Sequence, residues 1–265
     1  MNLHHLLGTS RLWLTAAALV CGGATTSAQS LAVAAAADLQ GILPALVSRF
    51  EAQTGRAVRV TFGSSGTFFS QIQNGAPFDV FFSADIEYPK RLEALSLAEP
   101  GTLYQYGTGK IVLWVPKGSR LDVGLGLQVL QTPGIRHIAI ANPIHAPYGR
   151  AAVAALRSAG LYDRVRAKLV LGENVSQAAQ FVQSGNAEVG IVALSLALAP
   201  ALSEAGVAGT IPPTSYPAIE QAAVVLKSSR IKKAALEFLR FLRQPDALDL
   251  LRRFGFEPPP IGDGR

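Results

Sequence analysis

Short apolar segments alternate with amphipathic segments along this chain, and this alternation constrains the fold more than any other feature. The segment 31–37 has the pattern of a buried strand, and 39–55 carries apolar residues at the spacings of three and four that are typical of a helix, closed by Gly55. Further strands at 57–62 and 79–85 are each followed by a helical pattern. Successive strand–turn–helix units predict right-handed crossovers and a largely parallel sheet with helices on both faces.

A second alternating series begins after Gly101. Its strands are predicted at 110–115, 137–142, 168–172 and 188–194, and its helices at 149–160 and 175–185. A strand at 222–227 and helices at 230–243 and 245–253 close the chain, and we expect them to return to the first lobe. The predicted fold is therefore α/β with two lobes, lobe I being 29–108 plus 222–265 and lobe II 109–221. Open α/β sheets bind ligands at the carboxyl ends of their strands, which predicts a ligand between the lobes.

Residues 1–28 have the pattern of a cleavable signal peptide. A polar stretch with Arg11 precedes the apolar run 12–20, and Thr26 and Ala28 have the spacing of a signal-peptidase site. The apolar run is shorter than the about 20 residues that a membrane-spanning helix needs. We therefore predict export to the periplasm, with cleavage after Ala28.

The single cysteine, Cys21, and the single methionine, Met1, both lie in this leader. Lipoprotein anchoring at Cys21 is disfavoured, because the preceding Val20 is bulkier than such a cleavage usually tolerates. A chain cleaved after Ala28 has no disulfide, no thiolate metal ligand and no cysteine nucleophile.

The chain is mildly basic, with a net charge of +6 that becomes about +5 once Arg11 is removed. The basic residues that cluster between Lys227 and Arg253 have helical spacing, which predicts a solvated helix face. The sequence has no helix-turn-helix, zinc-finger or aromatic–basic platform, so we predict no nucleic-acid partner.

The segment Gly63, Ser64, Ser65 and Gly66 joins a predicted strand to a predicted helix. Its glycines permit positive φ, so backbone N–H groups can converge where the helix dipole adds a partial positive charge. This pattern indicates an anion cradle without a formal charge. The alternative is a tight turn in which Ser65 caps the helix. The segment lacks the lysine of a Walker loop and the GxGxxG of a dinucleotide turn.

Similar junctions recur at 37–38, 83–85, 147–149 and 173–175. Several helix N-termini that point at one cleft can hold a tetrahedral anion with neutral donors, because each carries about half an elementary charge.

Five stretches of the sequence together carry a more specific pattern. They are VAAAADL, FGSSGTFFSQIQNGAPFDVFFSAD, ANPIHAPYGRAA, LGENVSQAAQFVQSGNAEVGIV and FLRQPDALDLLRRFGF. In this order they resemble the periplasmic molybdate-binding proteins of ABC importers, over essentially the whole mature chain. The resemblance implies a type II periplasmic-binding-protein fold whose lobes close over one molybdate or tungstate ion. It also implies delivery to a membrane permease driven by a partner ATPase, with no cofactor and no enzymatic activity. We expect a monomer.

The resemblance also assigns site residues by position. Ser65 matches the family serine that donates hydroxyl and amide to the oxyanion, and Val175 matches the residue that donates its amide from the second lobe. Tyr148 matches a position that is a ligand-contacting tyrosine in some members, while members with alanine there carry a tyrosine where this chain has Ala193. Ser64 is included in the predicted site. The metal atom would be reached only through its oxygens, with no direct metal ligands.

Ala37 and Asp38 stand where the family usually offers Ser or a Thr-Asn pair. An ionised carboxylate beside a dianion costs energy unless it points away or is protonated. Because Asp is a favoured N-cap, we expect Asp38 to cap the following helix with its carboxylate turned from the cleft. The alternative is that Asp38 accepts a hydrogen bond from a protonated oxyanion such as phosphate or arsenate, which would select against molybdate.

Two other functional classes are less consistent with the sequence. An exported hydrolase could use Asp85 with a serine and His145, but the sequence has no GxSxG elbow and its histidines lack metal-ligand spacing. A ferric-binding protein would need paired tyrosines, and Tyr104 and Tyr106 fall at the predicted hinge.

Overall fold

The structure, a computed structural model, describes residues 29–259. The predicted signal peptide, its cleavage site and Cys21 lie outside the described residues, as do 260–265. Within 29–259, no helix has both the length and the apolar character needed to cross a membrane.

The strands form two mixed five-stranded sheets. The first has the order β2-β1-β3-β10-β4 and the second the order β7-β6-β8-β5-β9. The strands are β1 (Leu31–Ala36), β2 (Val58–Gly63), β3 (Val80–Ser83), β4 (Tyr104–Gly109), β5 (Ile111–Pro116), β6 (Ile138–Ala141), β7 (Leu169–Gly172), β8 (Val189–Ala193), β9 (Gly206–Thr210) and β10 (Ile219–Val225).

Helices cover the sheets. They are α1 (Leu43–Thr54), α2 (Ser65–Gln73), α3 (Glu87–Ala94), α4 (Pro147–Ser158), α5 (Tyr162–Val165), α6 (Val175–Gln183), α7 (Leu194–Ala197), α8 (Pro200–Ser203), α9 (Lys232–Phe241) and α10 (Pro245–Arg253). Short 3-10 segments join some of them, and one, Ala37–Gly41, follows β1 directly.

Each sheet combines parallel and antiparallel pairs. In the first sheet β1 pairs in parallel with β2 and β3, and β10 enters antiparallel between β3 and β4. In the second sheet β6 pairs in parallel with β7 and β8, and β5 pairs antiparallel with β8 and β9. The chain therefore leaves the first sheet after β4 and returns to it through β10.

Alternate residues of the central strands fill opposite faces of the first sheet, as strand geometry requires. Phe82 packs on the face covered by α1 and α9, where Phe50 and Phe238 meet edge to face with ring centroids 4.9 Å apart. Phe81 packs on the other face against Phe68 of α2. Helices held on both faces fix the ends of β1, β2 and β3, where the site forms.

The predicted elements differ from the structure at several places. The helix predicted over 39–55 is divided, because a 3-10 turn over Ala37–Gly41 precedes α1, which starts at Leu43 with Pro44 in its first turn. Strands β4 and β9 are absent from the sequence-based prediction. Both are rich in glycine and lack the apolar alternation by which a strand is recognised.

Candidate functional site

A small cavity lies between the two sheets, beyond the ends of β1, β2 and β3 and at the first residues of α2, α4 and α6. The structure brings all the residues of the predicted site to this cavity. They are Ala37, Asp38, Ser64 and Ser65 from the side of the first sheet, and Tyr148 and Val175 from the side of the second.

Helix α2 begins at the cavity with Ser64 as its cap. The Ser64 hydroxyl oxygen accepts the Thr67 amide at 3.2 Å and lies 2.8 Å from the Thr67 hydroxyl. The alternative in which Ser65 caps this helix is therefore wrong, since Ser65 is the first helical residue. Its amide has no hydrogen-bond partner within residues 29–259, and the residue lines the cavity.

The Ser65 side chain is fully buried and held in one orientation. Its hydroxyl oxygen accepts the backbone amide of Ala84 at 2.9 Å, so the hydroxyl proton is left to donate elsewhere. The next amide, that of Gly66, donates to the carbonyl of His145 at 2.9 Å and ties α2 to the segment before α4.

Helix α6 repeats this arrangement from the second sheet. The Asn174 side-chain oxygen accepts the amides of Ser176 and Gln177, each at 3.0 Å. The amide of Val175, the first helical residue, is left without a partner in the part of the chain that the structure describes. Two helix N-termini from opposite sheets thus present one amide each to the cavity, together with their partial positive charge.

Asp38 does not cap a helix, and the expectation that its carboxylate turns from the cleft is wrong. The 3-10 turn starts directly after β1, so Asp38 falls inside the turn and makes no capping bond. Its Oδ2 accepts the Tyr148 hydroxyl at 3.0 Å and the Gln221 amide nitrogen at 2.7 Å. Its Oδ1 is buried without a partner in residues 29–259. Burial raises the pKa of this carboxyl from 3.8 to about 7, although its hydrogen bonds with Gln221, with Tyr148 and with its own backbone act to lower it.

Sequence reasoning missed two members of this network, Gln221 and Tyr106. The Tyr106 hydroxyl donates to the Gln221 side-chain oxygen at 2.7 Å, and the Gln221 amide nitrogen lies 2.9 Å from the Tyr148 hydroxyl. Burial raises the pKa of both phenols well above the usual 10. A fully buried glutamine in the apolar strand β10 is the signal that could have revealed the network.

The residues of the two rejected alternatives are occupied elsewhere. Tyr106 belongs to the Gln221 network, whereas the Tyr104 hydroxyl bonds the Leu242 carbonyl at 3.4 Å, so the two do not form a ferric pair. Asp85 forms an ion pair with Arg150, and His145 lies 3.2 Å from Glu173 rather than beside Asp85. Across residues 29–259, no cluster of three or more His, Cys, Asp or Glu side chains could hold a metal ion.

Comparisons with known proteins agree with this architecture. A family model described as bacterial extracellular solute-binding protein matches residues 31–257. The molybdate-binding protein ModA of Rhodobacter capsulatus is 40% identical over 94% of this chain and 96% of its own length, and that of Azotobacter vinelandii is 39% identical over 92% and 94%.

A solved structure, the Azotobacter vinelandii periplasmic molybdate-binding protein, matches with a TM-score of 0.82 and 39% identity, covering 87% of this chain and all of that chain. The match confirms the predicted two-lobed type II periplasmic-binding-protein fold and the family resemblance. This chain therefore belongs to the bacterial extracellular solute-binding proteins.

Proposed function

We propose that this chain captures molybdate, and also tungstate, between its two lobes and delivers it to an ABC permease. The observation that carries the proposal is the pair of free helix-initial amides, of Ser65 and Val175, that open on one cavity from opposite sheets. The relatives named molybdate-binding proteins, at about 40% identity over nearly the whole chain, support this choice of oxyanion.

The cavity suits a dianion that must later be released. No lysine or arginine of residues 29–259 lines it, so its donors are neutral groups. They are amides, hydroxyls and, where Asp38 is protonated, a carboxylic acid. A hydrogen bond to a charged group contributes about 1.5 to 3 kcal/mol. About six such bonds exceed the cost of association by enough to reach micromolar to nanomolar affinity.

In this proposal the donors have separate roles. Ser65 gives its hydroxyl and amide and Val175 its amide, while Tyr148 lines the site and donates its hydroxyl proton to Asp38. Ala37 and Asp38 contribute from the end of β1, and Ser64 supports the site through the cap of α2. All of these groups meet oxygens of the ligand, so no residue touches the metal atom, and the oxyanion is cargo rather than a cofactor.

The proposal extends to the surroundings of the protein. Lobe I comprises 29–108 plus 222–265 and lobe II 109–221, and a signal peptide cleaved after Ala28 directs the monomeric chain to the periplasm. The permease and its ATPase supply the transport energy. The chain itself catalyses no reaction.

One observation favours a second candidate. Asp38 lines the cavity, and an ionised carboxylate there would accept a hydrogen bond from a protonated oxyanion such as phosphate or arsenate. The two candidates differ in the charge of Asp38 and in the ligand selected.

Titration calorimetry of the exported chain with molybdate, tungstate, sulfate, phosphate and arsenate tests both candidates. We expect tight binding of molybdate and tungstate and no measurable binding of phosphate or arsenate. Binding of phosphate or arsenate without molybdate would replace the first candidate by the second. Turnover of chromogenic esters or phosphates, with no oxyanion bound, would overturn both in favour of a hydrolase.

A further inference from the structure

We propose that Asp38 meets the bound oxyanion as a neutral carboxylic acid, donating a hydrogen bond from Oδ1, so that capture of the dianion takes up one proton at alkaline pH. The inference rests on the proposed function, since it takes a dianionic oxyanion as the cargo. It makes Asp38 a determinant of both specificity and pH dependence.

The hydrogen-bond network identifies the oxygen that carries the proton. Tyr106 donates to the side-chain oxygen of Gln221, so the Gln221 amide nitrogen is the atom that faces Asp38. This nitrogen also bonds the Tyr148 hydroxyl oxygen, which leaves the Tyr148 proton directed at Asp38. Oδ2 therefore receives two donors, and a proton on the carboxyl resides on Oδ1.

Oδ1 has no hydrogen-bond partner in the described part of the chain, although it is buried. Buried polar atoms in folded proteins are nearly always hydrogen-bonded, so a buried atom without a partner is expected to form its hydrogen bond with a bound ligand. Asp38 lines the same cavity as the amides of Ser65 and Val175, where the oxyanion is proposed to bind. A ligand oxygen is an acceptor, and it satisfies Oδ1 only when Oδ1 carries a proton.

The charges around the cavity favour the neutral form. Among residues 29–259, Asp38 is the only one of a charged type in the cavity lining, so no cation there offsets an ionised carboxylate beside a dianion. The titratable groups that face Asp38 are Tyr148 from α4 and Tyr106 from β4, both neutral phenols. Gln221 from β10 bonds its side chain, and Ser195 from α7 donates to its backbone carbonyl at 2.7 Å. Burial already holds the carboxyl pKa at about 7, and a bound dianion raises the pKa further.

The sign of the pH effect follows from this difference in pKa between free and bound protein. Below about pH 7 Asp38 is protonated in both states, so binding changes no proton count. Above that pH the free protein loses the proton and the complex keeps it. The affinity for molybdate therefore falls with rising pH, by up to about tenfold per pH unit.

Calorimetry at about pH 8.5 in two buffers of different ionisation enthalpy measures the protons taken up with molybdate. We expect close to one proton for the wild type and none for Asp38→Asn. The molybdate affinity of the asparagine variant, whatever its value, should not change with pH over this range, because its amide donates without titrating. Tyr162→Phe, whose ring lies under Arg157 in α4, is the control and should behave as the wild type.

A difference infrared spectrum of the wild type, with and without molybdate, reads the same proton without any variant. We expect a carbonyl band of a protonated carboxyl in the complex. Molybdate binding with no proton uptake and no such band overturns this inference and leaves the proposed function standing. The absence of molybdate binding overturns both.

Discussion

The guanidinium of Arg150, on α4, forms an ion pair with the carboxylate of Asp85, which follows β3. The pair joins a helix packed on the second sheet to the end of a strand in the first. Arg150 also lies 3.4 Å from the Tyr88 hydroxyl on α3. The contact thus bridges the two lobes.

This bridge should contribute to ligand affinity, because it joins the two lobes between which the ligand is proposed to bind. A double-mutant cycle with Arg150→Ala and Asp85→Ala should give a coupling of about 0.5 to 1 kcal/mol in the free energy of molybdate binding, since both side chains are partly exposed. High salt should reduce the coupling by screening. The pair of Lys90 and Glu87, within α3, is the control and should show no coupling to binding. A coupling free energy of zero at low salt would show that the Arg150–Asp85 ion pair does not contribute to molybdate binding.

Replacing Tyr148 by phenylalanine should weaken molybdate binding by about 1 to 3 kcal/mol. The change removes the hydroxyl that donates to Asp38 Oδ2 and accepts from the Gln221 amide, so the Asp38 carboxyl is no longer held in place at the cavity. Calorimetry compares the molybdate affinity of Tyr148→Phe with that of Tyr162→Phe, which removes a hydroxyl elsewhere on the second lobe. The comparison shows whether the effect is specific to Tyr148. Equal affinities for the two variants would remove Tyr148 from the site.

The residues at the cavity were largely predictable because they follow strands along the chain. Gly63 to Gly66 and the stretch around Val175 carry capping residues next to glycine or at a strand end, and such local patterns are readable. Which serine caps α2 was not readable, since Ser64 and Ser65 are equally good caps by type.

The buried network behind the cavity could not be predicted in this way. Gln221 reaches Asp38 from a strand that lies 183 positions later in the chain, and Tyr106 enters from a glycine-rich strand that periodicity does not reveal. The orientation of Asp38 depends on a 3-10 turn in place of an α-helical start, which is a matter of how β1 ends against its neighbours. Such long-range contacts are set by packing rather than by local propensity.

Gly66 should be essential for closure. A side chain there would place its Cβ 2.7 Å from the His145 carbonyl oxygen and 2.8 Å from the Tyr88 hydroxyl, closer than atoms can approach. Gly66→Ala should therefore weaken molybdate binding at least tenfold, by about 1.4 kcal/mol or more. Gln71→Ala, an exposed position on the same helix, should bind as the wild type. Calorimetry makes the comparison, and an unchanged affinity in Gly66→Ala would show that α2 and the His145 segment need not meet.

The adjacent serines should separate stability from binding. Ser64→Ala removes the cap of α2 and should lower the free energy of unfolding by about 1 kcal/mol, with a smaller effect on affinity. Ser65→Ala should weaken molybdate binding by about 1 to 3 kcal/mol, because it removes a proposed donor and leaves the Ala84 amide unsatisfied. Urea unfolding gives the free energy of unfolding of each variant, and calorimetry gives its molybdate affinity. The reverse pattern would exchange the roles assigned to the two residues.

The stability of the ligand-free protein should depend on pH through Asp38. Its pKa is raised by burial from 3.8 in the unfolded chain to about 7, so the folded state retains a proton that the unfolded state releases. Protonation of Asp38 therefore stabilises the folded protein fully below about pH 4, and this contribution is lost as the pH rises towards 7. A pKa difference of one unit corresponds to about 1.4 kcal/mol. The difference between the folded and unfolded pKa of Asp38 therefore limits its pH-dependent contribution to the free energy of unfolding to about 4 kcal/mol.

Other carboxylates titrate over the same range, and Asp38→Asn isolates the contribution of this one. Urea unfolding of both proteins at several pH values between about 4 and 8 should show the variant gaining stability relative to the wild type as the pH rises. Tyr162→Phe should follow the wild type at every pH. A difference between Asp38→Asn and the wild type that stays constant with pH would mean that Asp38 ionises at its ordinary pKa, with a carboxylate that the folded protein stabilises as well as water does.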